Sequence, residues 1–435
     1  MEASTQPKTT LLRVVGVPGS IGLGLGSILG TGVFVSLAIV TSVAGPWAPV
    51  AVALAGLLAT CNGLSSAQLA AAHPVSGGTY EYGHKFVHPM AGYIAGWMFL
   101  VAKSASAATA ALGFAAYMTQ GVGAVSEFIS PVNLALLLVA LITLLTAGGL
   151  RRSNTINTVI VMITLAALSG FVFSGAQFLA QSQTSSDLSF QILSDYGFHL
   201  SDLMHATALA FVAYAGYGRI ATLGEEVVEP RRTIPRAIIA TLAVSMLTYL
   251  SVVIVSVAAV GAKTFSTSGG LGQAPLEQVA RYLEQPTIAS LIAVGATLAM
   301  AGVLLNLVLG LSRVLLAMAR RKEMPQSLSV LTPGGESPKR AVWVVGLGIA
   351  GLVSIGDIMT TWSLSAFCVL IYYGTTNLAA LKMPEDQRLY PKWVSWAGLF
   401  GCLSLAFFID MQTIIVGLGA ILLAFMVRTI QTRVS

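Results

Sequence analysis

Two stretches of this chain carry chemistry in their backbone more than in their side chains. The first is Gly26-Ser27-Ile28-Leu29-Gly30-Thr31-Gly32-Val33-Phe34, which follows Gly22 and Gly24 inside an apolar run. The second, Phe211-Val-Ala-Tyr214-Ala-Gly216-Tyr217-Gly218, interrupts another apolar run five runs later. Glycine at this density weakens a helix. In lipid, irregular backbone persists only where it is buried in protein or lines a cavity. Gly22, Gly26 and Gly30 lie four apart, a spacing that also suits close helix packing, so the first stretch alone leaves both readings open. A second interruption at a matching place favours discontinuous helices that meet near the bilayer midplane, as in inverted-repeat transporters. A half-helix N-terminus offers unpaired N–H groups and the positive end of a dipole to a carboxylate. An opposing half-helix C-terminus offers carbonyls to an ammonium. Together the two ends suit a zwitterionic amino acid without any charged side chain.

Such breaks need long apolar helices around them, and the composition supplies them. Of 435 residues 55% are hydrophobic and 9% charged, against about 25% charged in ordinary soluble proteins. A helix crossing the hydrocarbon core needs about 20 mostly apolar residues. Such runs fall at 16–43, 47–72, 91–120, 131–149, 155–179, 202–223, 234–261, 287–317, 341–356, 358–381, 394–410 and 412–428. The runs are continuously apolar, unlike the alternating strands of a barrel. Lysine and arginine concentrate at the termini and in every second connection, while the alternate connections hold only Lys263 and Arg281. That asymmetry predicts an even number of spans, both termini cytoplasmic, and a multi-pass protein of the plasma (inner) membrane. No connection exceeds about 25 residues, which leaves no space for a soluble catalytic domain. A short amphipathic helix is expected at 276–283.

The net charge of +6 belongs to this asymmetry and not to nucleic-acid binding. Cys61, Cys368 and Cys402 lie in apolar runs without CxxC spacing, and the five histidines do not cluster at metal-ligand spacing. No cofactor or metal is expected. The spans hold no aspartate pair and no serine with a histidine base, so an enzyme is not expected. A channel would show a polar pore stripe or a filter sequence, and none is present. Two cations do fall inside spans. Lys103 lies near the middle of the third, as a coupling or substrate-sensing ammonium or a structural cation; Arg219 follows the second break and is expected to pair with Glu225 or Glu226.

The segment Gly26–Phe34 resembles the first-helix signature of the amino acid–polyamine–organocation (APC) superfamily. Pro74-Val-Ser-Gly77-Gly78-Thr-Tyr80-Glu-Tyr82 with Gly96-Trp97 is similar to the stretch after its second helix. Phe211–Gly216 with Glu225-Glu226-Val-Val-Glu-Pro230-Arg-Arg-Thr-Ile-Pro235-Arg236 resembles its sixth helix and following loop. Gly310-Leu-Ser312-Arg313 with Met318-Ala-Arg320 and Pro325 resembles the end of its eighth. The resemblance implies an all-α LeuT-like fold of about twelve helices. In it a tail (1–15) precedes an inverted repeat of five helices (16–179), a second such repeat (180–381) and two further helices (382–435), with helices 1 and 6 discontinuous. It also implies secondary-active amino acid transport. The substrate carboxylate would meet the amides of Gly30, Thr31 and Gly32. Its ammonium would meet carbonyls at Ile28 and from Val212 to Ala215. Phe211, Val212, Ala215, Gly216 and Tyr217 would provide contacts or gates. The family's coupling lysine aligns with Thr164, and the helix-8 hydroxyls of sodium-coupled relatives align with Met300-Ala301-Gly302-Val303. Neither scheme is matched, which leaves the coupling open among proton symport, exchange and facilitated diffusion. Sodium-independent proton symport or exchange is the expectation, with facilitated diffusion or a flux-free sensor as alternatives.

Overall fold

The computed structural model describes residues 15–75, 77–121, 129–149, 154–181, 197–222, 227–268, 270, 273–331 and 338–434. It is all-helical apart from one bridge between Val15 and Val227. The first interrupted stretch comprises α1 (Val17–Ile28), α2 (Thr31–Phe34) and α3 (Ser36–Ala44), and it is followed by α4 (Ala48–Ala72) and the short α5 (Thr79–Tyr82). Next come α6 (Pro89–Gly121), α7 (Pro131–Ala147) and α8 (Asn154–Gln181). The second interrupted stretch is α9 (Leu200–Tyr214) and α10 (Gly218–Ala221), then α11 (Pro230–Val260), α12 (Ala262–Thr267), α13 (Pro275–Tyr282) and α14 (Pro286–Arg320). The chain ends in α15 (Lys339–Val353), α16 (Ile358–Lys382), α17 (Lys392–Ala406) and α18 (Met411–Val434).

All twelve apolar stretches fall largely on helix. Among the described residues, seven helical units are long and apolar enough to cross a membrane: the α2–α4 run, α6, α8, α11, α14, α16 and α18. The protein is therefore an integral, multi-pass membrane protein. Local sequence sets the helix starts. Proline occupies the first turn of α4, α7, α11, α13 and α14, where its missing N–H has no partner to lose. Ser130 caps α7 by accepting from the Asn133 N–H at 3.2 Å, and Asp357 caps α16 by accepting from Thr360 at 2.9 Å. The amphipathic helix expected at 276–283 is α13, which buries Leu276 and Val279.

Small residues fill the interior and large apolar ones face outward. Along α6, Ala102, Ala105, Ala108, Ala111 and Ala115 are fully buried, letting α14 and α16 approach closely. Leu247, Phe173, Phe400 and Leu422 are exposed, as a surface solvated by acyl chains requires. Hydroxyl pairs join α6 to α16: Ser106 to Ser365 at 2.7 Å and Thr109 to Thr361 at 2.8 Å. A second polar seam joins α4, α16 and α17. In it the Asn377 amide donates to Asn62 Oδ1 and, at 2.9 Å, to the Tyr373 carbonyl, while Cys402 donates to Asn62 Oδ1 at 3.4 Å. Gly398 leaves the room this requires, since a Cβ there would lie 2.8 Å from Asn377 Cγ. Asn62→Leu leaves two buried donors facing hydrocarbon, so the expected loss is about 1–3 kcal/mol. The check is the thermal midpoint in detergent, which should fall below that of the wild type.

Candidate functional site

The first break follows from its residues. Helix α1 stops at Ile28, Leu29 turns to ψ 90°, and α2 restarts at Thr31. The Ile28 carbonyl therefore lacks the N–H that a continuous helix would present four residues on. Tyr249 on α11 supplies the donor: its hydroxyl lies 2.8 Å from the Ile28 carbonyl and 3.2 Å from that of Ala213 on α9. One buried phenol thus ties both interrupted stretches together.

The second interruption differs from the expected unwinding. Over Ala215–Tyr217 the chain tightens into a 3-10 turn and continues as α10. The tighter pitch keeps the backbone helical while changing which carbonyl each N–H meets. Tyr373 on α16 donates to the Ala215 carbonyl at 3.0 Å. The two interruptions touch directly. A Cβ on Gly216 would lie 2.6 Å from Ile28 Cγ1 and closer still to the Ser27 carbonyl. Glycine is required at this crossing for clearance.

A cavity of about 170 Å³ opens beside this crossing, enough for on the order of ten waters or one small solute. Ser27 and Gly216 lie at one end, with Phe99 and Lys103 of α6, Asn306 and Arg313 of α14, and Tyr372 and Tyr373 of α16 around it. Of the sequence-predicted residues, Lys103, Ala215, Gly216 and Arg219 line it. Ile28, Gly30, Thr31, Gly32, Phe211, Val212 and Tyr217 are buried in the wall beyond it. There Gly30 packs on Val303, and Gly32 lies against Ala213 and the Tyr249 hydroxyl. The buried Thr31 hydroxyl has no hydrogen-bond partner among the described residues. Thr164 is fully buried elsewhere, donating to the Ile160 carbonyl of its own helix at 2.8 Å. Glu225 and Glu226, the expected partners of Arg219, lie outside the described residues. No His, Cys, Asp or Glu cluster able to hold a metal occurs among the described residues.

Sequence reasoning missed Ser27, Tyr249, Tyr372, Tyr373 and Asn306. The tyrosines carried a usable signal: a phenol inside an otherwise aliphatic span needs a hydrogen-bond partner, and carbonyls at a helix break are what the interior offers.

Away from the crossing, closed and open ends differ. Trp362 donates to the Leu209 carbonyl at 3.0 Å, and Tyr117 donates to the Phe34 carbonyl at 2.9 Å while accepting from the Leu276 N–H at 3.2 Å. These layers close the side beneath α13. At the other end Tyr80 joins an ionic cluster. Its hydroxyl donates to Glu323 Oε2 at 2.6 Å, His84 Nε2 lies 2.9 Å from Glu323 Oε1, and Arg321 lies 2.5 Å from Glu81. Burial opposes a charged His84 imidazole, but the Glu323 carboxylate and the Tyr80 carbonyl at 2.8 Å from Nδ1 outweigh it and hold its pKa above the ordinary 6.5.

The fold and cavity define a helical membrane protein in which two interrupted helices cross beside an internal site. The amino acid permease family profile matches residues 19–432. An uncharacterized transporter of Mycobacterium tuberculosis is 35% identical over 429 residues, covering 97% of this chain and 93% of the relative. A branched-chain amino acid permease of Bacillus subtilis is 28% identical over 89% of this chain and 85% of its own. A methylthioribose transporter of the same organism is 25% identical over 80% and 77%. The chain belongs to the amino acid permease family, in the APC superfamily, and these relatives carry transporter or permease names.

Two outcomes are expected here. Gly216→Ala overpacks a backbone crossing that cannot yield, a loss of about 1–3 kcal/mol, whereas Gly310→Ala, where a Cβ meets nothing within 4 Å, keeps or raises the thermal midpoint. The His84–Glu323 link contributes fully below pH 6.5 and fades as pH rises through the elevated His84 value. The midpoint advantage of wild type over His84→Gln should accordingly be largest near pH 6 and shrink toward pH 9.

Proposed function

We propose that this protein is a secondary-active amino acid transporter of the plasma (inner) membrane that works by alternating access. In this reading twelve spans form two inverted repeats of five, with two further helices, and both termini are cytoplasmic. The observation that carries the reading is the crossing itself. Two interrupted helices meet in direct backbone contact beside a solute-sized cavity, closed by the Trp362 and Tyr117 layers on one side and reaching the Glu323 cluster on the other. The family membership and the branched-chain amino acid relative support an amino acid as cargo.

The substrate's main-chain groups are assigned to the crossing. Its carboxylate meets the amides of Gly30, Thr31 and Gly32 and the unpartnered Thr31 hydroxyl. Its ammonium meets the carbonyls of Ile28 and of the Val212–Ala215 stretch. Tyr249 and Tyr373 hold three of those carbonyls, those of Ile28, Ala213 and Ala215, in this state, so their release accompanies substrate entry from the cavity. Phe211, Val212 and Tyr217 form the wall that must move. Coupling is to protons, as symport or exchange. Met300-Ala301-Gly302-Val303 supplies no hydroxyl for sodium, and Thr164 alone is a weak ligand set for it.

Uptake of labelled amino acids into proteoliposomes tests this. An imposed proton gradient or internal unlabelled amino acid should accelerate uptake, and replacing sodium by choline should leave it unchanged. A steep sodium requirement would overturn the coupling assignment, and absence of flux in well-folded protein would favour a sensor.

A further inference from the structure

We infer that the preferred cargo is an amino acid with a carboxylate side chain, recognised by Lys103. The inference rests on reading the cavity as the transport site. Three cations line that cavity, Lys103, Arg219 and Arg313, and no Asp or Glu lines it among the described residues. Glu81 and Glu323, the acids flanking Tyr80 at the far end of the cavity, already have partners in Arg321, His84 and Tyr80.

Lys103 is the informative member. It lies mid-helix on α6, between residues that are small or buried, and its ammonium has no hydrogen bond or ion pair among the described residues. A charge held at that depth is expensive unless a partner or water accompanies it. With no carboxylate lining the cavity among the described residues, an anion brought by the solute is the partner that offsets the expense. The charge of Lys103, in a cavity that Arg313 also lines, repels a lysine- or arginine-like solute. A neutral zwitterion gains little from it, because its main-chain carboxylate and ammonium are assigned to the crossing. A second carboxylate is what the site is short of. Asn306 lies in the same cavity, and its amide N–H₂ is a further donor of the kind a carboxylate takes.

The test uses the purified full chain in proteoliposomes loaded with unlabelled solute, with labelled glutamate, aspartate, leucine and arginine outside. Retention of glutamate or aspartate above leucine and arginine is expected. A Lys103→Gln variant should raise the half-saturating concentration for the acidic substrate about tenfold or more, the effect of losing one charge-assisted hydrogen bond. Its ligand-free thermal midpoint should equal or exceed that of wild type, since an intramembrane charge without a partner among the described residues has been removed. Preference for leucine or arginine would overturn the inference and leave the transporter reading intact. Retention of no amino acid by folded wild-type protein would overturn both. An acidic preference that Lys103→Gln leaves unchanged, with the midpoint maintained, would overturn the assignment to Lys103.

Discussion

Backbone polar groups inside a membrane protein must find partners within the protein, because lipid offers none. Everything at this site descends from that constraint. Interrupting α1 after Ile28 orphans a carbonyl, and the hydroxyl of Tyr249 takes it while also reaching Ala213. Tightening the second stretch at Ala215 creates a similar need, met by Tyr373. The phenols suit this task because each joins a bulky apolar ring, at home in the interior, to one strong donor. A hydroxyl can also be displaced by a competing donor, as a covalent link cannot. In the proposed reading a substrate ammonium is such a donor, and its arrival is the physical route from a closed, self-satisfied crossing to an occupied one.

The polar economy of the bundle follows the same rule elsewhere. Serine, threonine and asparagine appear inside in matched pairs: Ser106 with Ser365, Thr109 with Thr361, and Asn62 with Asn377. These pairs pin α16 to its neighbours on both sides of the cavity, so Tyr372 and Tyr373 project from a fixed wall. Against this background Lys103, without a partner among the described residues, stands out. The paired hydroxyls and amides that join the helices are complemented within the protein, and a cation without such a complement fits a partner arriving from solution.

Interior and exterior divide the hydrophobic residues by size. Alanine and glycine dominate the contacts of α6, where close approach yields van der Waals contact that lipid cannot match. Leucine and phenylalanine face outward, where bulk is solvated by acyl chains. The ionic groups with strong mutual contacts gather beyond the helix ends, as in the His84–Glu323 and Glu81–Arg321 links. There water lowers the expense of charge, and a titratable pair can respond to pH without disturbing the packed centre.

The sequence alone determined the membrane class, the positions of the helices, the place of both interruptions and the family. Each of these is written in local chemistry: a continuous apolar run, a proline at a first turn, a cluster of glycines. Local chemistry also located Lys103 and Arg219 as intramembrane charges. Tertiary structure decided what those features do to one another. Glycines at 26–32 fit either a break or a tight packing face, and the structure uses both, ending α1 at Ile28 while packing Gly30 on Val303. Tyr249 stands 221 residues from Ile28, and no periodicity or spacing connects them. Whether the second interruption would open or tighten depended on a donor from α16 reaching Ala215. The reason is general: a helix break is a local deficit of hydrogen bonds, but which side chain meets the deficit depends on which helix lies alongside, and that is settled only when the whole bundle packs.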